Sequence, residues 1–525
     1  MANYTYLIRG GTIIDGSGFP RAKGDLGISG EYIKTVGGTE KGNAVEIIDA
    51  TGKYLIPGIV DITNHSDTHW TLFTYPEQCN LLAQGITTII GGACGASIAP
   101  LVETRAIQSI KKWTDISRAN INWQSVSELF DELERHPLGV NFGMFVGYST
   151  LRGNITDDAL QELTRAELES VKLILTRSLD EGALGLSFGL ASLGNSLALQ
   201  DEVIALARVV ADAGKVVTVH LRNEGSRLLP SIVEALRIAR ATGVPVHISH
   251  IKAIGRRAWQ DFNKALAIVQ KARKEENLSI TVDLFPYLRT GSLLYNFLPD
   301  WILEGGNSKI IEILIDPSKR QSVLDSMKKQ TLHYDKIVIA EAQKSKDVVG
   351  KTIQHIAQSG GLSPEETVIE ILISNDLGVT VFSKTLMSTH LVSIAREPYS
   401  MFSSDGVGEG ERKRDLTHPR SYGAFPRFLH RLVVKGNILS WEEAVKKMTS
   451  VPASLVGLGS HRGLLKQGYF ADIVILDPKK IIDMATYRHP YQYPHGIDYV
   501  FVNGNCAFKK GKVTGALAGK VFRRS

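Results

Sequence analysis

Two histidines thirty residues apart, His220 in VVTVHLRNEG and His250 in GVPVHISHIKA, each follow a short apolar, β-like run that comes after a helical pattern ending near Gly214 or Gly243. That order of helix, glycine stop, buried strand and polar side chain marks consecutive units laid into one parallel sheet. Cys94, in TTIIGGACGAS, ends an earlier run of the same kind. A thiolate and two imidazoles at the mouths of three parallel strands suit a zinc ion with an open fourth position, as in a hydrolytic centre. A lone cysteine between glycines is ordinarily packing, and the two histidines are what give Cys94 a second meaning. His247 points away from both neighbouring ligands by strand alternation and reads as a structural histidine.

Runs of this type recur through the middle of the chain: YLIPGIVDI, TTIIGGA, VNFGMFVGY, ALGLSFG, KVVTVHL, PVHISHI, LSITVDLF, EETVIEILI and YSMFSSD. Helical patterns fill gaps at 201–213, 228–241 and 258–275. The alternation predicts an α/β fold, a TIM-like (β/α)8 barrel over 57–463 with chemistry at the C-terminal ends of its strands. An open doubly wound sheet is the other architecture, but no glycine-rich dinucleotide loop opens the first unit. A helix-rich, lysine-rich block at 288–354 breaks the rhythm and predicts an insertion near the barrel mouth. Residues 1–56 and 464–525 instead carry short runs broken by Gly or Asp, such as YTYLIRGG, DLGISG, ADIVILD and GIDYVFVNG. These predict one small β-sandwich domain formed by both chain termini, with two separate β caps as the alternative.

With 525 residues, 43% apolar and 22% charged, the chain is globular and too long for one ordinary core. It has no apolar run of bilayer length, and MANYTYLIRGG lacks the basic and apolar regions of a secretory signal. Three cysteines, Cys79, Cys94 and Cys506, make no disulfide framework, so a cytoplasmic protein is expected. The net charge of +6 is spread among 60 basic and 54 acidic residues. The basic clusters, Arg412 to Arg414 and Lys509, Lys510, Arg523 and Arg524, come with no nucleic-acid motif and read as solvated surface. The expected partner is a small molecule, with neither nucleic acid nor membrane, and a homo-oligomer is left open.

Nearly end to end, the chain carries a series of motifs: IPGIVD at 56–61, GITTIIGGACGASIAP at 85–100, STLRG at 149–153, EGALGLSFGL at 181–190, HLRNEG at 220–225, ISHIK at 248–252, SSDG at 403–406, HPRSYGAFPR at 418–427 and KMTSVPA at 447–453. In these it resembles the amidohydrolase superfamily and, within it, the N-acyl-D-amino-acid deacylases, or D-aminoacylases. The resemblance implies zinc-dependent hydrolysis of the amide bond of N-acyl-D-amino acids. It also implies metal ligands Cys94, His220 and His250, with His65 as a further candidate, and one zinc per chain. Asp405 is implied as the catalytic acid–base, Lys252, Tyr287 and Arg420 as substrate-binding groups, and Asp67 as a supporting hydrogen-bonding acid.

Three positions depart from the family pattern. Thr63 stands where the family carries the first histidine of a pair on the first strand, and a neutral hydroxyl is a poor zinc ligand, so any second metal site is the one weakened. Phe285 replaces one tyrosine of a pair, which leaves Tyr287 as the only hydroxyl there. Tyr148 replaces a histidine after the third strand and, beside Arg152, is expected to reshape the acyl side of the pocket. Two alternatives remain at this point: a cyclic-amide hydrolase of the dihydroorotase or hydantoinase kind, and a non-catalytic binding protein built on a degraded metal site. The first ordinarily needs a carboxylated lysine or glutamate bridge and paired first-strand histidines, neither of which is visible.

Overall fold

Eight short runs in the middle of the chain are buried along almost their whole length, which parallel strands achieve when helices cover one face and other strands fill the other. They are β1 (Ile59–Asp61), β2 (Ile86–Gly91), β3 (Asn141–Met144 continued by Val146–Gly147), β4 (Gly185–Gly189), β5 (Val216–His220), β6 (Val246–Ile248), β7 (Ile280–Leu284) and β8 (Ser400–Phe402). Each pairs in parallel with the next in chain order. Phe145 joins the two halves of β3, its N–H donating to the Gly91 carbonyl at 3.0 Å. The computed structural model describes residues 3–110, 120–156, 162–193, 200–303, 306–330, 332–410 and 416–523. The expected basic cluster Arg412 to Arg414, and Arg524 in the tail, lie outside the described residues.

The seam between β8 and β1 is closed just past their C-terminal ends. The Asp405 N–H donates to the Thr63 carbonyl at 3.0 Å, and the His65 N–H to the Gly406 carbonyl at 2.9 Å. The buried Asp61 carboxylate accepts the Ser404 N–H at 2.8 Å and the Ser404 hydroxyl. The result is a TIM-like (β/α)8 barrel. Its outer helices include Gln200–Asp212, Leu228–Thr242 and Arg256–Glu275. The second of these stops at Gly243, whose φ of 73° places it in the left-handed region that a helix C-terminus favours.

One expected strand is a helix. EETVIEILI is rich in β-branched residues, yet Pro364–Ser374 is helical. Ser363 and Glu366 form a reciprocal capping box, Pro364 occupies the first turn, and Val368, Ile369 and Leu372 pack inward. Cap chemistry and tertiary burial outweigh strand propensity here. This helix belongs to a unit inserted between β7 and β8. The unit holds a three-stranded antiparallel sheet of Arg289–Leu293, Val379–Lys384 and Ile337–Ala342, with Val379–Lys384 in the middle. Its own core includes Leu314, Met327, Ile339, Leu372 and Val381. The expected boundary at 354 is therefore too early, because the central strand of the inserted sheet comes from 379–384.

Both chain ends contribute to one nine-stranded sheet. Tyr54–Pro57 pairs in parallel with Tyr4–Ile13 and antiparallel with Ile473–Leu476, so it stitches the two ends together. Ile8, Leu26, Ile28, Leu55, Ile473 and Phe501 pack beneath it. YLIPGIVDI thus splits at Gly58, one half joining this sheet and the other becoming β1. Gly58 allows the close crossing, since a Cβ there would lie 2.1 Å from the Thr87 hydroxyl. Among the described residues no helix is long and apolar enough to cross a membrane.

A buried polar network joins this sheet to the barrel. Arg462 pairs with Asp472 and donates to Asn503 Oδ1 at 2.8 Å. Asn503 donates to Asn141 Oδ1 on β3 at 2.7 Å, and Asn141 donates back to Asp472 at 3.2 Å. Removing one partner of such a network leaves a buried charge uncompensated. Arg462→Met is expected to lower stability by about 3–5 kcal/mol, and Lys520→Met, which breaks an exposed pair with Glu31, by less than about 1 kcal/mol. Urea midpoints of the two variants check this, and equal shifts would refute it.

Candidate active site

Every candidate ligand stands at the C-terminal end of a barrel strand. Cys94 lies in the turn after β2, His220 ends β5, and His250 follows β6. One ligand atom from each falls within 4.8 Å of the others. Cys94 Sγ is 3.2 Å from His250 Nε2, and the two imidazoles meet edge to face at 4.5 Å. Cys94, His250 and Asp405 have φ values of 54°, 38° and 49°, a left-handed conformation that costs a non-glycine residue on the order of 1–2 kcal/mol. Three such residues in one pocket mark a place where function, rather than stability, sets the backbone.

The surrounding backbone holds these side chains in place. Gly92 presses so close to β3 that a Cβ would lie 1.8 Å from the Phe145 carbonyl oxygen, so the turn carrying Cys94 requires glycine there. Asp67, expected in a supporting role, accepts the Gly92 N–H at 2.7 Å and so braces that turn from behind. Asp283, on β7, accepts the backbone N–H of His250 and the Thr63 hydroxyl, the latter at 2.6 Å. His247 is fully buried, with Nδ1 2.9 Å from the Thr281 hydroxyl. Thr63 is thereby directed at a carboxylate.

The remaining candidates divide into two groups. His65, Asp405, Arg420 and Lys252 join the centre. His65 Nε2 is 3.0 Å from Asp405 Oδ1, while the Arg420 guanidinium pairs with Asp405 Oδ2. The Lys252 ammonium lies 2.6 Å from Glu224 Oε1 and 2.8 Å from His250 Nδ1. Tyr287 and Tyr148 stand apart. The Tyr287 hydroxyl donates to the Pro419 carbonyl at 3.1 Å. Tyr148 is fully buried and donates to Glu202 Oε1 at 2.8 Å, beside an Arg152–Glu202 ion pair. Its hydroxyl is therefore engaged by Glu202.

Two carboxylates were not singled out from the sequence. Glu224 lies 3.4 Å from His250 Nδ1 and 3.9 Å from His220 Nε2, where it can orient both rings. Its place four residues after His220 was the available signal. Asp283 gave no local sign of its role, since Thr63 is 220 residues away in sequence.

The electrostatics call for a cation. Burial opposes ionisation of the Cys94 thiol, yet the charge of His250 and hydrogen bonds from His220, His250 and His65 hold its pKa well below the usual value. Burial pushes the His65 pKa down, but Asp405 and Cys94 raise it to about 10. His250, lowered by burial and Lys252, is raised by Cys94 and Asp405, also to about 10. A thiolate and a carboxylate thus compete for positive charge that imidazolium protons can supply. A divalent metal among Cys94, His220 and His250 supplies the same charge and frees the imidazole lone pairs, so the donor set fits zinc in both charge and softness.

Known proteins share this frame. An amidohydrolase family model matches residues 416–508. The D-aminoacylase of Alcaligenes xylosoxydans xylosoxydans is 30% identical over 522 residues, spanning 99% of this chain and 98% of its own. The N-acyl-D-glutamate deacylase of Bordetella bronchiseptica, solved with zinc and a phosphonate mimic of the tetrahedral intermediate, is similar with a TM-score of 0.83 at 28% identity, covering 99% of this chain and all of the other (100%). A D-aminoacylase structure addressing a binuclear centre with one-metal activation and second-metal attenuation gives 0.82 at 28% identity, again covering 99% and 100%. The chain belongs to the amidohydrolase family of metal-dependent hydrolases, in its N-acyl-D-amino-acid deacylase (D-aminoacylase) branch.

Proposed function

We propose that this chain hydrolyses the amide bond of N-acyl-D-amino acids, releasing a carboxylate and a free D-amino acid, with one zinc ion held by Cys94, His220 and His250. The observation that carries this reading is the convergence of those three ligand atoms beside an Asp405–Arg420 pair at the barrel mouth. The D configuration rests on the family relatives. When bound, zinc supplies Lewis acidity to the amide carbonyl and to water, whose pKa it can lower toward about 7.

The protein groups divide the rest. Asp405 accepts the proton of the attacking water and delivers it to the leaving nitrogen, while His65 holds its Oδ1 in line. Arg420 presents a planar, bidentate donor to the α-carboxylate of the substrate. Lys252 neutralises Glu224 beside His250, and its part in binding the substrate rests on the family resemblance. The Tyr287 hydroxyl braces Pro419, at the start of the helix Arg420–Phe428. Tyr148 is fully buried and tied to Glu202, so this position carries no ionisable imidazole.

Arg420 has two claimants. It pairs with Asp405, whose pKa burial would raise but Arg420, His250 and His65 hold well below the carboxylate range. A substrate carboxylate that takes a share of the guanidinium relieves that hold and makes Asp405 a stronger base. Thr63 is spent on Asp283, so a second, attenuating metal of the kind described for the D-aminoacylase relative lacks one imidazole here.

The zinc-replete protein is therefore expected to carry one zinc per chain by metal analysis and anomalous scattering, and excess zinc is expected not to slow it. No zinc at Cys94, His220 and His250, or two fully occupied sites, would overturn the metal assignment.

Zinc-loaded protein is expected to cleave N-acetyl-D-amino acids and spare the L forms. Asp405→Asn should lower kcat by roughly 10²–10⁴-fold with little change in KM. Unchanged turnover would remove Asp405 from the reaction.

Arg420→Met should raise KM for free acids, and the pH profile gives it a signed test. Asp405 must be ionised to act, and losing the guanidinium raises its pKa. The acid limb of kcat/KM should then move to higher pH. A limb that stays in place, or moves down, would show that Arg420 does not set the basicity of Asp405.

A further inference from the structure

His418 takes no part in the reaction described above, yet it is buried where three units of the molecule meet. Its Nδ1 accepts the backbone N–H of Arg420 at 3.1 Å. Its Nε2 lies 3.0 Å from the carbonyl oxygen of Arg289, the first residue of the first inserted strand. A carbonyl only accepts and a backbone N–H only donates, so the two bonds together select one tautomer, neutral with the proton on Nε2. The carbonyl of His418 itself accepts the Ser421 N–H at 3.0 Å. Side chain and backbone of one residue thus fix the first two N–H groups of the helix that carries Arg420.

The ring is also clamped sideways. Tyr287 stands edge-on to it at 5.3 Å, Phe382 at 5.1 Å and Tyr487 at 5.2 Å. These come from the exit of β7, from the inserted sheet and from the C-terminal segment. Burial and the Arg420 charge hold the His418 pKa well below the usual histidine value, in keeping with the neutral tautomer. The insertion runs beside the same group: a Cβ at Gly291 would lie 3.6 Å from the His418 ring and 3.9 Å from the Arg420 guanidinium.

We propose, on the reading of Arg420 as the carboxylate clamp, that His418 is a positioning residue that fixes the backbone of Arg420 and ties the alignment of the clamp to the inserted unit. The insertion then acts on substrate selection through one hydrogen-bonded imidazole. Three substitutions separate the two bonds. His418→Asn keeps an acceptor near the Nδ1 position and loses the donor to Arg289. His418→Gln keeps the donor reach and loses the acceptor. His418→Leu loses both.

The readout is kcat/KM on an N-acetyl-D-amino acid against its α-carboxamide, with Arg420→Met measured alongside and zinc content verified for each. His418→Leu is expected to cut the preference for the acid by roughly fivefold to tenfold, chiefly through KM, the scale of a lost helix-capping bond. His418→Asn should restore part of that preference, the remaining shortfall measuring what the bond to Arg289 contributes, and His418→Gln should restore less. A merely structural histidine would lower both substrates alike and would not be rescued by Asn. If Arg420→Met abolishes the preference while His418→Leu leaves it intact, or if Asn fails to rescue, the positioning role is overturned. If Arg420→Met itself leaves the preference unchanged, the clamp assignment fails first. Should His418→Leu not fold, the Asn and Gln variants still decide by their order, and equal preferences in the two would overturn the role.

Discussion

A ring of parallel strands has one seam that chain order cannot zip, the one between the last strand and the first, and here His65 and Asp405 meet across it. Asp61 reaches across to Ser404, and the amide of Asp405 is held by the Thr63 carbonyl. Both bonds lie beyond the regular ladder, where the strands splay and the backbone turns left-handed at Asp405. Closing the barrel and placing the Asp405 carboxylate are thus one event. A looser seam would cost stability and misdirect Asp405 together, because its Oδ1 must meet His65 from the opposite strand.

The second governing fact is a shortage of positive charge at the barrel mouth. Cys94 and Asp405 are anionic side chains in a buried pocket, where isolated charge is costly. Protons on His65 and His250, the guanidinium of Arg420 and a metal are rival ways to meet it. Glu224 pulls in the other sense, and its pKa shows the balance: burial would raise it, but Lys252 and the two histidines lower it to about 2. An arriving anion or cation would therefore meet groups already in contact, among which charge can be shared.

The outline of this arrangement was legible in the chain itself, and the reasons are local. TTIIGGA, KVVTVHL and PVHISHI are buried strands whose polar termini announce the site, and the glycine stops at 214 and 243 phase the helices between them. Legibility failed where partners are distant or signals conflict. EETVIEILI has strand composition, but its capping box at Ser363 and Glu366 commits it to helix. VTVFSK, the middle inserted strand, pairs with runs about forty and ninety residues upstream, so the insertion outlasted its expected end at 354. The engagement of Thr63 by Asp283, and of Arg420 by Asp405, belongs to folded geometry that no spacing rule announces. Where the sequence departs from the family pattern, the hydroxyl of Thr63 has gained a partner of its own rather than being left idle.

The sheet shared by the two chain ends carries a consequence for how the molecule comes into being. Tyr54–Pro57 lies between Tyr4–Ile13 and Ile473–Leu476, so a ribosome must add more than four hundred residues before that strand finds its second neighbour. Throughout synthesis one edge of the early strands stays open, an apolar template for pairing with other nascent chains. Contacts of such sequence separation also form late and slowly. The burden of joining the two chain ends in one sheet therefore falls on synthesis, at residues remote from the barrel mouth.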